Sequence, residues 1–178
     1  YGHGGASSAT SIHGDYFGAV GNVTIDFGGI VFPSEHVPQY LSIYNATETI
    51  QGSNITANLL AWSDQDVIVV HVNDTRPVPE AINIDLTMTR SGPLETKNNY
   101  SATPIISQRN GKMILTQKFE EPCDTGITTN DFYNMSAVVI DVSGRTATAN
   151  QLDAQTIRLS IPASMGGFTI YIGSSASM

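Results

Sequence analysis

Apolar and polar residues alternate with a period of two along most of this chain. In "AINIDLTMT", residues 81–89, Ile82, Ile84, Leu86 and Met88 fall on one side of an extended backbone and Asn83, Asp85, Thr87 and Thr89 on the other. That beat predicts a strand with one buried and one wet face. It recurs in "NVTIDF" (Val23, Ile25, Phe27), in "TIRLSI" (Ile157, Leu159, Ile161) and in "FTIYI" (Phe168, Ile170, Ile172). Two runs, "DVIVVHV" (66–72) and "AVVIDV" (137–142), are instead apolar at nearly every position. They read as central strands covered on both faces, with Val69 and Ile140 in the core.

Gly, Pro, Asn and Asp punctuate these runs, as in "FGG" (27–29), "NDTRPVPE" (73–80), "EEPCDTG" (120–126) and "PASMGG" (162–167). "SQRNGKMIL" is the clearest hairpin, because Asn110-Gly111 suits a type I′ turn between two strands. No window of a dozen residues shows a 3.6-residue period. Short segments at this spacing predict an all-β chain, an antiparallel β-sandwich of about eight to ten strands in a single domain. Residues 13–178 are assigned to the sandwich. Residues 1–12, "YGHGGASSATSI", are small and polar and read as a flexible N-terminal arm.

Composition narrows the function. The chain has 178 residues, 40% of them hydrophobic and only 13% charged, enough to bury a core. Its net charge is −8 with eight scattered Lys and Arg, so no basic track exists for nucleic acid or an anionic membrane. No apolar run approaches the roughly 20 residues of a membrane helix, so membrane insertion is not expected. The single cysteine, Cys123, has no intrachain disulfide partner and no neighbouring base, and reads as an inert loop thiol.

Catalytic constellations are missing from the pattern. There is no Gly-x-Gly-x-x-Gly, Walker, Cys-x-x-Cys, His-Glu-x-x-His or Gly-x-Ser-x-Gly motif, so no cofactor and no metal are expected. His3, His13, His36 and His71 are far apart in sequence. Asp64 and Asp66 in "WSDQDV" fall two apart at an apparent strand start and so would share a face, a carboxylate pair to weigh for glycoside hydrolysis beside Glu120 and Glu121 in "EEP". Polar residues opening a strand, and a charged loop, account for the two pairs better, and no catalytic residue is assigned. Trp62 and Tyr44 are candidate sugar-stacking platforms, since aromatic faces pack against the C–H faces of pyranose rings.

Asn-x-Ser/Thr triplets are unusually frequent. They occur at Asn22, Asn45, Asn54, Asn73, Asn99 and Asn134, none with Pro in the middle. With 12 Asn and 35 Ser and Thr in the chain, random placement would give about 2.4 under the triplet rule. Six is an excess, although strand alternation, which sets i and i+2 on one wet face, raises the count. Several sit at turns or outward strand positions where a glycan could project. N-glycans there imply an extracellular or cell-surface location.

The order of the strand motifs resembles the N-terminal β-sandwich domain of the family 95 glycoside hydrolases, the α-L-fucosidase group. "GNVTIDF" resembles its opening strand, "YLSIY" the next, and "WSDQDVIVVHV" a following strand pair; "INIDLTM", "GKMILTQKF", "SAVVIDVSGR" and "FTIYIGSSASM" follow in matching order. In that family catalysis resides in a separate helical barrel that nothing here resembles, so no catalytic residue carries over. The resemblance implies a sandwich fold, an extracellular or periplasmic setting and association with carbohydrate. Two readings follow. One is a non-catalytic carbohydrate-associated module, partnered by a glycosidase catalytic domain; the other is a structural or adhesive subunit of a secreted glycoprotein assembly, a homo-oligomer or filament joined through sheet edges or the N-terminal arm.

Overall fold

The computed structural model describes residues 21–32, 36–88, 101–122 and 130–177. These form twelve strands: β1 (Asn22–Asp26), β2 (Gln39–Ser42), β3 (Thr47–Gln51), β4 (Ile55–Trp62), β5 (Val67–Asp74), β6 (Ile82–Thr87), β7 (Ser101–Arg109), β8 (Lys112–Pro122), β9 (Asn130–Ser143), β10 (Thr148–Gln151), β11 (Thr156–Ile161) and β12 (Gly166–Ser177). They pair antiparallel into two sheets. The smaller has the order β1-β6-β11-β10, and the larger β2-β3-β4-β5-β12-β9-β8-β7. The expected β-sandwich is present. Its strand number exceeds eight to ten because β2 and β10, four residues each, are short and largely exposed and leave little period-two signal.

Period-two segments fold as their pattern dictates. Ile82, Ile84 and Leu86 on β6 and Ile157, Leu159 and Ile161 on β11 point inward and are buried. Their alternate neighbours form a polar outer face, where Arg158 Nε and Nη2 each donate to an Asp85 carboxylate oxygen at 2.7 Å and Ser160 Oγ bonds Asn83. The larger sheet supplies the opposing layer, with Ala57, Val72, Phe168, Ile170, Ile140, Met113 and Leu115 buried. β10 and β11 lie over β7 and β8. The hairpin at Asn110-Gly111 closes as expected, with both residues at positive φ (52° and 74°) and Arg109 paired with Lys112.

Two expectations fail. Neither β5 nor the 137–142 run of β9 is covered on both faces: Val70, Val72, Val138 and Ile140 are buried, Ile140 in the core as expected, but Val69 and Val139 on the opposite face are only half-buried. In a two-layer sandwich the outer face of each sheet meets solvent. The outward Val69 lies between Leu60 on β4 and Tyr171 on β12 in the cross-strand register, so its apolar character serves lateral packing on that face. Asp64 and Asp66 do not open a strand either. Asp64 lies in a 3₁₀ turn over Ser63–Gln65 and Asp66 follows it in the left-handed conformation at φ 51°. The proposed boundary between arm and sandwich at residue 12/13 and the loop thiol Cys123 lie outside the described residues.

At one end the sandwich is closed by a buried ion pair. Asp74 is fully buried and accepts from Arg76 Nε at 3.0 Å, Nη2 at 2.8 Å and the backbone N–H of Arg76 at 3.1 Å. Arg76 Nη1 donates to the carbonyls of Phe27 (2.7 Å) and Gly28 (3.2 Å), pinning the end of β1 to β5. Val31, Phe27 and Phe32 cover the same end, with Val31 buried and the two rings edge to face at 5.5 Å.

Candidate functional site

Among the described residues, the smaller sheet does not cover the inward face of the larger one along its whole width. Cross-strand registers place Ala61, Ile68, Ile172, Ile140 and Met113 in one row from β4 to β8. Met113 and Ile140 are fully buried, Ile172 is half-buried, Ile68 is 44% exposed, and Ala61 is exposed. Along β5 the inward residues change in the same way, from 0% exposure at Val72 through 4% at Val70 to 44% at Ile68. Side chains of one kind on one face differ only in what lies above them. The smaller sheet therefore stops short, and it stops at β1.

Among the described residues β1 is an edge strand, paired with β6 alone. A methyl group at Gly21 would lie 2.8 Å from the Thr87 carbonyl oxygen and 3.1 Å from Leu115 Cδ2, while Phe27 at the far end contacts Arg76. The strand thus crosses the larger sheet from the β8 side to the β5 side. Its inward residues Val23 and Ile25 are only half-buried, whereas their partners Leu86 and Ile84 on β6 are fully buried. Beside β1 runs a groove of ≈ 650 Å³, walled by Gly21, Val23 and Ile25 and floored by Leu59, Ile68, Val70 and Ile172. Its lining is mostly apolar, with Asp66, Ser63 and Ser174 among the residues that border it.

Native sheets blunt their free edges with Pro, Lys, bulges or very short strands. The larger sheet does so at both ends, with four-residue β2 at one edge and Pro104 within β7 at the other. β1 carries neither Pro nor Lys, and its single charge, Asp26, accepts the Gly28 N–H at 2.9 Å. An open backbone edge next to an apolar trough is what an added strand requires: main-chain bonds along β1 and pockets for alternate side chains.

The residues singled out by sequence are dispersed. Asn22 is exposed on β1, Asn45 in the β2–β3 turn, Asn54 in the β3–β4 turn at φ 59°, and Asn73 on the outer face of β5. Asn99 lies outside the described residues, and the Asn134 side chain is likewise not described. The Thr75 hydroxyl of the Asn73 triplet donates to the Asn54 carbonyl at 2.9 Å, so it also ties two turns together. Trp62 is 50% exposed and lines the groove; Tyr44, 97% exposed, is not among the lining residues, so the two form no shared platform there. His71 bonds the Thr169 hydroxyl across strands at 3.0 Å. Among the described residues no cluster of His, Cys, Asp or Glu could hold a metal ion, and no helix is long and apolar enough to cross a membrane.

The groove itself was not among the sequence-derived candidates. Its lining residues carry ordinary strand alternation, and only the overlap of the two sheets leaves them open. The chain matches no family model and no curated protein.

Proposed function

We propose that this protein is a non-catalytic structural subunit of an extracellular assembly, joined to its neighbours by a strand added at the free edge of β1. The observation that carries this reading is the burial gradient from Met113 to Ala61 along one row of one sheet face. A monomer that exposes such a trough loses the hydrophobic stabilisation of covering it, about 25 cal/mol per Å² of apolar surface. An incoming strand recovers that stabilisation and satisfies the β1 backbone. The excess of Asn-x-Ser/Thr triplets supports the secreted, glycosylated setting.

Ile68→Arg tests it. The side chain is 44% exposed, so a charge there leaves the monomer folded while placing a cation in the trough. The native chain should sediment as an assembly and Ile68→Arg as a monomer of unchanged melting temperature. Ile105→Arg, which removes an exposed isoleucine on β7, should still assemble. A native chain that is monomeric, or an Ile68→Arg chain that assembles normally, would overturn the reading.

A second reading, the carbohydrate-associated module, draws on the motif order resembling the family 95 N-terminal domain. The half-exposed ring of Trp62 at the groove favours it. Saturable quenching or shift of Trp62 emission by an oligosaccharide, together with a heat of binding in calorimetry that Trp62→Ala abolishes, would be its signature.

A further inference from the structure

Resting on the assembly reading, we propose that the strand seated beside β1 is the N-terminal segment of a second copy of this chain, with Ile12, Gly14 and Tyr16 turned into the groove. Twenty residues precede Gly21 outside the described structure. Fully extended they span up to roughly 66 Å, ample to leave one sandwich and cross a neighbour's groove. Within them "SIHGDYF" sets Ile12 and Tyr16, with Gly14 between them, on one face and His13, Asp15 and Phe17 on the other, so the first face suits an apolar floor and the second is the more polar.

Charge points to the same segment. The chain holds 16 Asp and Glu and a net charge of −8, so copies repel one another. Residues 1–20 contain just one of those carboxylates, Asp15, and no Lys or Arg. They are among the least costly parts of the molecule to bring against an acidic neighbour. Residues 89–100 are a poorer fit, with Arg90, Glu95 and Lys97 and with Pro93, which lacks the N–H that strand pairing uses.

Gly21 borders the groove, so the segment that precedes it joins the sandwich at this face, and in the proposed assembly it crosses to the groove of the neighbouring copy. Each copy then gives one strand and receives one, a head-to-tail contact that builds a filament where the rotation between copies does not close and a ring where it does.

The test uses the full chain with Ile12→Asp or Tyr16→Asp, together with a synthetic peptide of residues 1–20. Trp62 is the only tryptophan, it lines the groove, and the peptide contains none, so tryptophan emission reports occupancy. The expected results are monomers for Ile12→Asp, a saturable 1:1 blue shift when the native peptide is added to them, and no shift with a peptide carrying Ile12→Asp. The native peptide in excess should also shorten native assemblies. If Ile68→Arg abolishes assembly while Ile12→Asp and Tyr16→Asp leave it intact, another segment fills the groove and only this inference falls. If no variant alters assembly, or the native chain never assembles, the assembly reading falls with it. A native monomer whose Trp62 is already blue-shifted, and red-shifted by Ile12→Asp, would show the segment folded into its own groove and would overturn donation.

Discussion

At the scale of single residues, the strongest electrostatic feature is the Asp74–Arg76 pair. Burial alone raises the Asp74 pKa, but the Arg76 side-chain and backbone hydrogen bonds and the Arg76 charge outweigh it and hold the carboxyl below its ordinary 3.8. A carboxyl whose folded pKa is depressed adds stability that is complete above the unfolded value and is lost as pH falls through the folded value. Stability from this pair should therefore be flat above about pH 5, given an unfolded value near 3.8, and should decline on acidification below it. Asp74→Asn should remove that part of the acid limb and lower stability at neutral pH by about 3–5 kcal/mol, since Arg76 would remain buried without its counter-charge. Urea unfolding across the acid range checks both. The pair was hidden in the sequence, where "NDTRPVPE" reads as a turn. Two charges spaced i, i+2 in a polar loop look solvated, and only the closing of the sandwich over them shows otherwise.

At the scale of elements, alternation was legible wherever a strand has one dry and one wet side. β6 and β11 place every inward residue named from the pattern in the core. β5 was misread because its apolar outward residues pack sideways against Leu60 and Tyr171 on an open sheet face, which one-dimensional hydrophobicity cannot tell from burial beneath a second layer. The distinction has an energetic consequence. Ile140→Ala empties a fully buried aliphatic site and should cost about 2–5 kcal/mol. Val69→Ala removes fewer carbons from a half-buried site and should cost about 1 kcal/mol or less. Equal losses in denaturant melts would mean that the outer face of β5 is covered after all. Asp64 and Asp66 show the complementary error. Read as a strand start they shared a face, yet the left-handed conformation at Asp66 reverses the chain between β4 and β5 and separates their surroundings.

At the scale of the whole molecule, function was less legible than fold, because the groove is a property of how far one sheet extends over another. No residue type marks it. What the sequence did supply is the set of Asn-x-Ser/Thr triplets, and their placement bears on the proposed assembly. Asn22, Asn45, Asn54 and Asn73 lie on outward faces and turns, and none of them lines the groove beside β1. Glycans at Asn45, Asn54 and Asn73 would shield outer faces and the short strands β2 and β3 from nonspecific pairing while leaving the free edge open, whereas one at Asn22 would stand on β1 itself. Material from a secretory host should therefore carry N-glycans at Asn45 and Asn54, the two exposed turn positions. The competing account is that these Asn and Thr residues only solvate turns, as the Thr75 hydroxyl does for the Asn54 carbonyl. Enzymatic release converts each occupied Asn to Asp, so peptide mass distinguishes the accounts site by site. Asn45 and Asn54 do not line the groove, so removing sugars carried there should leave assembly length unchanged while increasing lateral aggregation. Unmodified Asn at both turns would reduce the triplets to composition. Dissolution of the assembly on deglycosylation would place the glycans in the interface itself, against the groove beside β1.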